Sequence, residues 1–257
     1  MNGRRSAGRA WLLGVVLVTG CGVFGRGALG PTRPTTVDEL VSGLAARRAE
    51  VTSMRARVRL RSGLGRVWTR QAVLVQRPSA IRIDVLSPFG LALALGTEGR
   101  TLWAFPPQQG VRYEGPASPS NVARLLGTPL AVGDLVDVLL GVPPAHQAIT
   151  TPTLERAGGD WVLTVAYRGG TQLVRFTSDT LDIREVDERP DGAASVRVRF
   201  GDYADGFARA LDLDADGGVT VSIAFDDVER NAPIDASAFL PPPAARVLPL
   251  ERATTPG

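Results

Sequence analysis

The sequence predicts a mainly β domain of the α+β class: one antiparallel sheet of ten or eleven strands, curled partway round and covered by helices. Three observations carry this. Apolar residues recur at every second position in many segments, the period of a strand. The residues between them are polar and often arginine, so each strand has one buried and one wet face, as antiparallel strands do. Helical spacing occurs only near the start and in the middle, without the strand–helix–strand rhythm of a parallel sheet.

Arg4, Arg5 and Arg9 precede an apolar run, Ala10 to Val18, interrupted only by Gly14. A membrane-spanning helix needs roughly 20 residues; this shorter run suits the apolar region of a signal peptide. Val18-Thr19-Gly20-Cys21 resembles a bacterial lipobox, and Cys21 is the single cysteine of the chain. The resemblance implies cleavage before Cys21, which then carries acyl chains, palmitate among them, on its thiol and amine. At about 0.8 kcal/mol per buried CH₂, such chains hold a protein firmly to a membrane. Gly22 stands where envelope sorting rules hold back Asp, so the expected location is the periplasmic face of the outer membrane. The other reading is an ordinary leader with Cys21 incidental.

The expected organisation is a signal peptide over residues 1–20, a lipidated N-terminus and Gly/Pro-rich tether over 21–35, a folded domain over 36–240, and a Pro-rich tail over 241–257, extended or disordered. The domain opens on Thr36-Val37-Asp38-Glu39, a capping box in which Thr36 accepts from the Glu39 amide and Glu39 reaches back. Val37, Leu40, Val41, Leu44 and Val51 follow at helical spacing, with Arg48 breaking the stripe, and predict a helix over residues 37–52. Period-2 alternation then takes over. Val58 and Leu60 alternate with Arg57, Arg59 and Arg61; Ile81, Ile83 and Val85 with Arg82 and Asp84; Leu91, Leu93 and Leu95 with Ala92 and Ala94. Trp161, Leu163, Val165 and Tyr167 share a face, and Val196–Phe200 and Val219–Phe225 alternate likewise. Two helices interrupt the series. One covers residues 119–126, capped by Ser118 with Pro119 in its first turn; the other covers 132–140, ended by Gly141 and Pro143.

Composition excludes several functions. The formal net charge is +3, with 29 basic and 26 acidic residues, and every basic residue is arginine. Without the three leader arginines the chain balances, which removes the electrostatic basis for nucleic-acid binding. One cysteine allows no internal disulfide, and one histidine, His146, gives a metal site or catalytic triad little to build on. No Gly-x-Ser-x-Gly elbow or phosphate loop occurs, so the reading is a non-enzyme with no cofactor and no metal. Asp212, Asp214, Asp216 and Gly217 spell the start of a calcium loop, but its twelfth position is Ile223, inside a strand, so a polar hairpin turn fits better. The alternating arginines read as a solvated strand face rather than a phosphate site, and His146 as an exposed imidazole in a loop.

Three stretches resemble the LolA/LolB group of lipoprotein-trafficking proteins. Ser87-Pro88-Phe89-Gly90, between two alternating strands, is similar to LolB's loop that pushes an apolar side chain outward. Leu126-Gly127-Thr128-Pro129-Leu130, with Leu135, Leu139 and Leu140-Gly141-Val142-Pro143, resembles LolB's helical segment. Asn231-Ala232-Pro233-Ile234-Asp235, with Phe239 and Pro241, is closer to LolA-like C-termini, so the likeness is to a divergent member.

The resemblance implies a half-open antiparallel β-barrel enclosing an apolar cavity. The cavity would accept acyl chains of lipids or lipoproteins, delivered by a periplasmic LolA-like carrier, and the anchored protein would act as a monomer. Candidate lining residues are Val58, Leu60, Ile81, Ile83, Leu91, Leu93 and Leu95, with Trp68, Trp103 and Phe105 if their strands face inward. A filled core is the other reading. Phe89, supported by Pro88, is the candidate membrane- or cargo-contacting side chain, or else folds back on the sheet edge. A structural or interaction lipoprotein of the same fold is the competing function.

Overall fold

The computed structural model describes residues 32–63, 67–216 and 219–253; the signal peptide, Cys21 and Gly217 lie outside them. After helix α1 (Val37–Glu50) come β1 (Ser53–Ser62), β2 (Thr69–Gln76), β3 (Ala80–Ser87), β4 (Gly90–Thr97), β5 (Thr101–Phe105) and β6 (Val111–Pro116). Helices α2 (Pro119–Leu126) and α3 (Val132–Leu139) follow. The second run is β7 (Thr153–Ala157), β8 (Asp160–Tyr167), β9 (Gly170–Phe176), β10 (Ile183–Pro190), β11 (Val196–Ala204), β12 (Phe207–Ala215), β13 (Val219–Arg230) and β14 (Arg246–Pro249).

All fourteen strands join one open, curled sheet, in the order β14-β6-β5-β4-β3-β2-β1-β13-β12-β11-β10-β9-β8-β7. Each run is a meander of antiparallel neighbours, and β1 joins the two by pairing with β13. Among the described residues only β14 pairs in parallel, on β6. The sheet does not close: β14 and β7 are its edges. Fourteen strands exceed the predicted ten or eleven because short edge strands carry little alternation. In β7 no residue is fully buried, and Arg246 and Val247 of β14 are exposed.

The concave face is apolar. Met54, Ala56 and Val58 of β1 lie beside Val73 and Val75 of β2, and further round Val198, Leu213, Val221 and Phe225 join the same core. The three helices supply its other side with Leu40, Val122, Leu135, Val136 and Leu139. The convex face carries arginines paired with acids of β13: Arg55 with Glu229 and Arg57 with Asp227 in register, and Arg59 with Asp226 past a bulge.

Local chemistry explains the helix bounds. Thr36 accepts from the Glu39 amide at 3.2 Å, as a capping box requires. Its reciprocal half is absent, because the Glu39 carboxylate instead binds Thr35 and Arg33. The last residues of the predicted tether are therefore docked: the Arg33 amide donates to Ser178 and its carbonyl accepts from Trp161 Nε1 at 3.1 Å. Helix α2 ends where Gly127 turns left-handed at φ 74°, and α3 ends before Gly141, at φ 83°.

The C-terminal region packs on the sheet, its described residues running into β14 and a closing turn. Asn231, at φ 55°, ties β13 to the α1–β1 junction by accepting from Thr52 and donating to Glu50. The chain then crosses the convex face. Asp235 caps a short turn holding Phe239, which is 2% exposed, and the strap ends in β14 and buried Leu250. The third motif is thus a structural pin at one end of this strap.

Candidate functional site: the roofed concave face

Helices α2 and α3 lie over β2 to β5. Between them and the sheet is an apolar cavity of about 10 Å³, lined by Ile81, Ile83, Leu95, Leu102, Leu126, Val132 and Leu135. That volume is at the lower limit for one water molecule, whereas ligand pockets run to about 300–1,000 Å³. This cavity is too small for an acyl chain in this conformation, and a chain-like ligand here would need α2 and α3 to move.

The candidate lining residues divide between the two faces. Val58, Leu60, Ile81, Ile83, Leu93 and Leu95 face the core, and Ile81, Ile83 and Leu95 touch the cavity. Leu91 does not follow its neighbours. The β3–β4 pairing shifts between Val85 and Leu86, which adds one residue to β4 and pairs Leu91 with Leu86 on the convex side. Trp68, Trp103 and Phe105 also stand on the convex side. Trp103 pairs with Gly96 and Phe105 with Ala94, while the alternate residues Leu102 and Ala104 face the core. Trp103 is fully buried there, beneath the C-terminal strap, and donates from Nε1 to the Phe239 carbonyl at 3.0 Å. Trp68 lies over Arg59 and Arg61, outer-face residues of β1.

Ser87, Pro88, Phe89 and Gly90 form the tight β3–β4 turn. The Ser87 hydroxyl accepts from the Phe89 amide at 3.2 Å and donates to the Gly90 carbonyl at 3.0 Å. Gly90 sits at φ 108°, a conformation that favours glycine. These constraints hold Phe89 away from the sheet at 96% exposure.

Two polar clusters under the roof went unrecognised in the sequence. Asp137 of α3 pairs with Arg48 of α1 and with Arg77, just after β2. Arg48, the break in the apolar stripe of α1, is one arm of this clamp, and it also donates to the Pro143 carbonyl. The second cluster occupies the concave face of β9 and β10. Glu188 accepts from Gln172 at 2.5 Å and Tyr167 at 3.4 Å, and His146 Nε2 lies 3.1 Å away. His146 is therefore not an exposed imidazole: it is half-buried and stacked on Tyr167, with ring centroids 3.8 Å apart. Burial, with help from Glu188, pushes the Tyr167 hydroxyl up to about 12. Burial also raises the Asp134 carboxyl, with Glu188 adding to the effect. The available signal was a polar residue at a core-facing position: Gln172 two residues before Val174, and Glu188 two after Val186.

The other sequence candidates behave as solvated polar groups. Asp214 pairs with Arg199 at 2.8 Å across β11 and β12, and Arg57 and Arg59 pair with acids of β13. Among the described residues no group of His, Cys, Asp and Glu is arranged to hold a metal ion, and no helix is long and apolar enough to cross a membrane.

An open, curled antiparallel sheet with helices roofing its apolar concave face defines a LolA-like fold. Solved structures share it. A LolA superfamily protein from Nitrosomonas europaea matches with a TM-score of 0.53 at 12% identity, over 81% of this chain and 99% of its own. A domain described as outer membrane lipoprotein-sorting, from Vibrio parahaemolyticus, matches at 0.50 and 13% identity, over 78% and 94%. A DUF1329 family protein from Desulfovibrio piger matches at 0.50 and 12% identity, also over 78% and 94%. No known family model matches the sequence, and no curated protein matches it.

Proposed function

We propose that this protein is a lipid-anchored envelope protein, held at the outer membrane through Cys21, that takes acyl chains of lipids or lipoproteins between its sheet and its helical roof and delivers them to the membrane. The observation that carries this reading is an unclosed sheet whose largely apolar concave face is covered by helices rather than by strands of its own, with the short α2 and α3 over β2 to β5. Such a roof can lift without breaking the strand ladder, and acyl chains need an apolar surface but no catalyst. The LolA-superfamily and lipoprotein-sorting neighbours support it. Phe89, at a rigid turn tip, is the contact with membrane or cargo, and a soluble LolA-like carrier would supply the cargo.

One observation favours a second reading. A cavity of about 10 Å³ is what a purely structural or interaction lipoprotein would have. A fluorescent acyl probe separates the two. The full chain is loaded with probe, and release to vesicles is followed for the wild type and Phe89→Glu. The first reading expects saturable loading in both proteins and at least tenfold slower delivery by the variant. Absence of loading would sink it in favour of the structural role.

A further inference from the structure

At the Phe89 end of the sheet, the convex face changes character. Further along β1 and β3 the arginines are matched by acids: Arg55 lies 3.3 Å from Glu229, Arg57 2.9 Å from Asp227, and Arg82 3.0 Å from Asp84. The β1–β2 and β3–β4 turns lie at one end, because successive antiparallel hairpins return there. Around these turns Val67 is 73% exposed, Trp68 39%, Leu86 46% and Phe89 96%. They form a connected patch. Arg70 pairs directly with Leu86 across β2 and β3, and Leu86 pairs with Leu91 across β3 and β4. The Arg61 guanidinium sits 5.2 Å from the Trp68 ring centroid. Among the described residues, neither Arg61 nor Arg70 forms an ion pair, although Arg59 beside them is held by Asp226 at 2.9 Å.

Single exposed apolar side chains are ordinary, but two aromatics and two aliphatics on adjacent hairpins, edged by unmatched arginines, are not. Trp and Phe settle at the boundary between headgroups and acyl chains, and arginine stems extend along apolar surface while their heads reach phosphate. We infer that this rim is a docking surface for an anionic bilayer. Trp68, Leu86 and Phe89 enter the interface, and Arg61 and Arg70 engage lipid phosphates. Charge complementarity selects this occupant, since the matched pairs of β1 and β3 give way to the unpaired Arg61 and Arg70 where the apolar side chains emerge. The inference rests on the proposed function only in placing the protein at a membrane, and it adds a second hairpin and a lipid charge preference to the Phe89 contact.

The test uses the full chain with vesicles of brominated phosphatidylcholine, with or without brominated phosphatidylglycerol. Trp68 is isolated by subtracting the quenching seen in Trp68→Phe. Quenching of Trp68 should be much stronger on the anionic vesicles. Arg61→Glu with Arg70→Glu should lower that partition by at least about thirtyfold, since each arginine near an anionic surface contributes about one kcal/mol and each glutamate adds repulsion. If circular dichroism shows that the double variant fails to fold, Arg61→Gln alone should give a smaller loss in the same direction. Equal quenching on the two vesicle types overturns the inference, and so does none on either, which would assign the patch to a protein partner. Acyl-probe loading, read in the same samples, reports the proposed function separately: loading without Trp68 quenching defeats only the docking surface, and quenching without loading defeats only the cargo reading.

Discussion

His146 is the residue whose setting most changes its chemistry. Burial disfavours the imidazolium, but the hydrogen bond to Glu188 and the negative charges of Glu188 and Asp134 outweigh it and raise the imidazole above its ordinary range. A folded-state value above the unfolded one means that the folded protein binds more protons in that window. The stabilisation is therefore complete below about pH 6.5, the unfolded imidazole value, and is lost as pH rises through the folded value. Asp134, raised by burial, acts in the same direction but starts from the carboxylate range, so its loss begins at lower pH. The wild-type melting temperature should therefore fall between pH 6 and 8.5 by more than that of His146→Gln. Parallel melting profiles for the two proteins would show that Glu188 does not use the charged ring. Nothing in the sequence around His146 announces this setting, because Glu188 and Gln172 reach it only through the β9–β10 register, which a linear reading does not contain.

Individual elements were legible to the extent that their own residues carry the signal. Pro119 after Ser118, and the glycines at 127 and 141, place α2 and α3 within a residue, because caps are local chemistry. Strand β4 shows where local reading stops. Its leucines alternate cleanly, yet the bulge at Ala92 turns Leu91 to the other face. The convex side of β4 and β5 reads as a surface, but a chain segment 136 residues downstream covers it and makes Trp103 a core residue. This arrangement depends on Gly96, since a Cβ there would meet Trp103 Cζ2 at 2.3 Å. The ring cannot retreat easily, being buried and held through Nε1. Gly96→Ala should therefore destabilise the protein by about 1–3 kcal/mol, the usual range for overpacking, measured as a lower denaturant midpoint with an unchanged slope. A neutral result would mean that the strap yields and that Trp103 is not fixed in place.

For the whole molecule, alternation and helix placement indicated an open, helix-roofed sheet, but not how tightly the roof is seated. That depends on Asp137, whose side chain is 8% exposed and joins α3 to Arg48 on α1 and to Arg77 after β2. Removing the carboxylate leaves two part-buried guanidinium groups without their anion, and breaking a buried pair in this way costs about 3–5 kcal/mol. If the concave face takes acyl chains, the roofed form is the state that must open, and apparent affinity is reduced by the fraction of molecules that are open. Asp137→Ala should then lower the unfolding midpoint while strengthening acyl-probe binding, by up to about tenfold for each 1.4 kcal/mol by which the roofed form is destabilised relative to the open one. A mutation that merely damages the fold moves stability and affinity down together. Opposite movement requires that the clamp hold shut the surface the ligand uses, so a fall in both would place any binding site away from the roof.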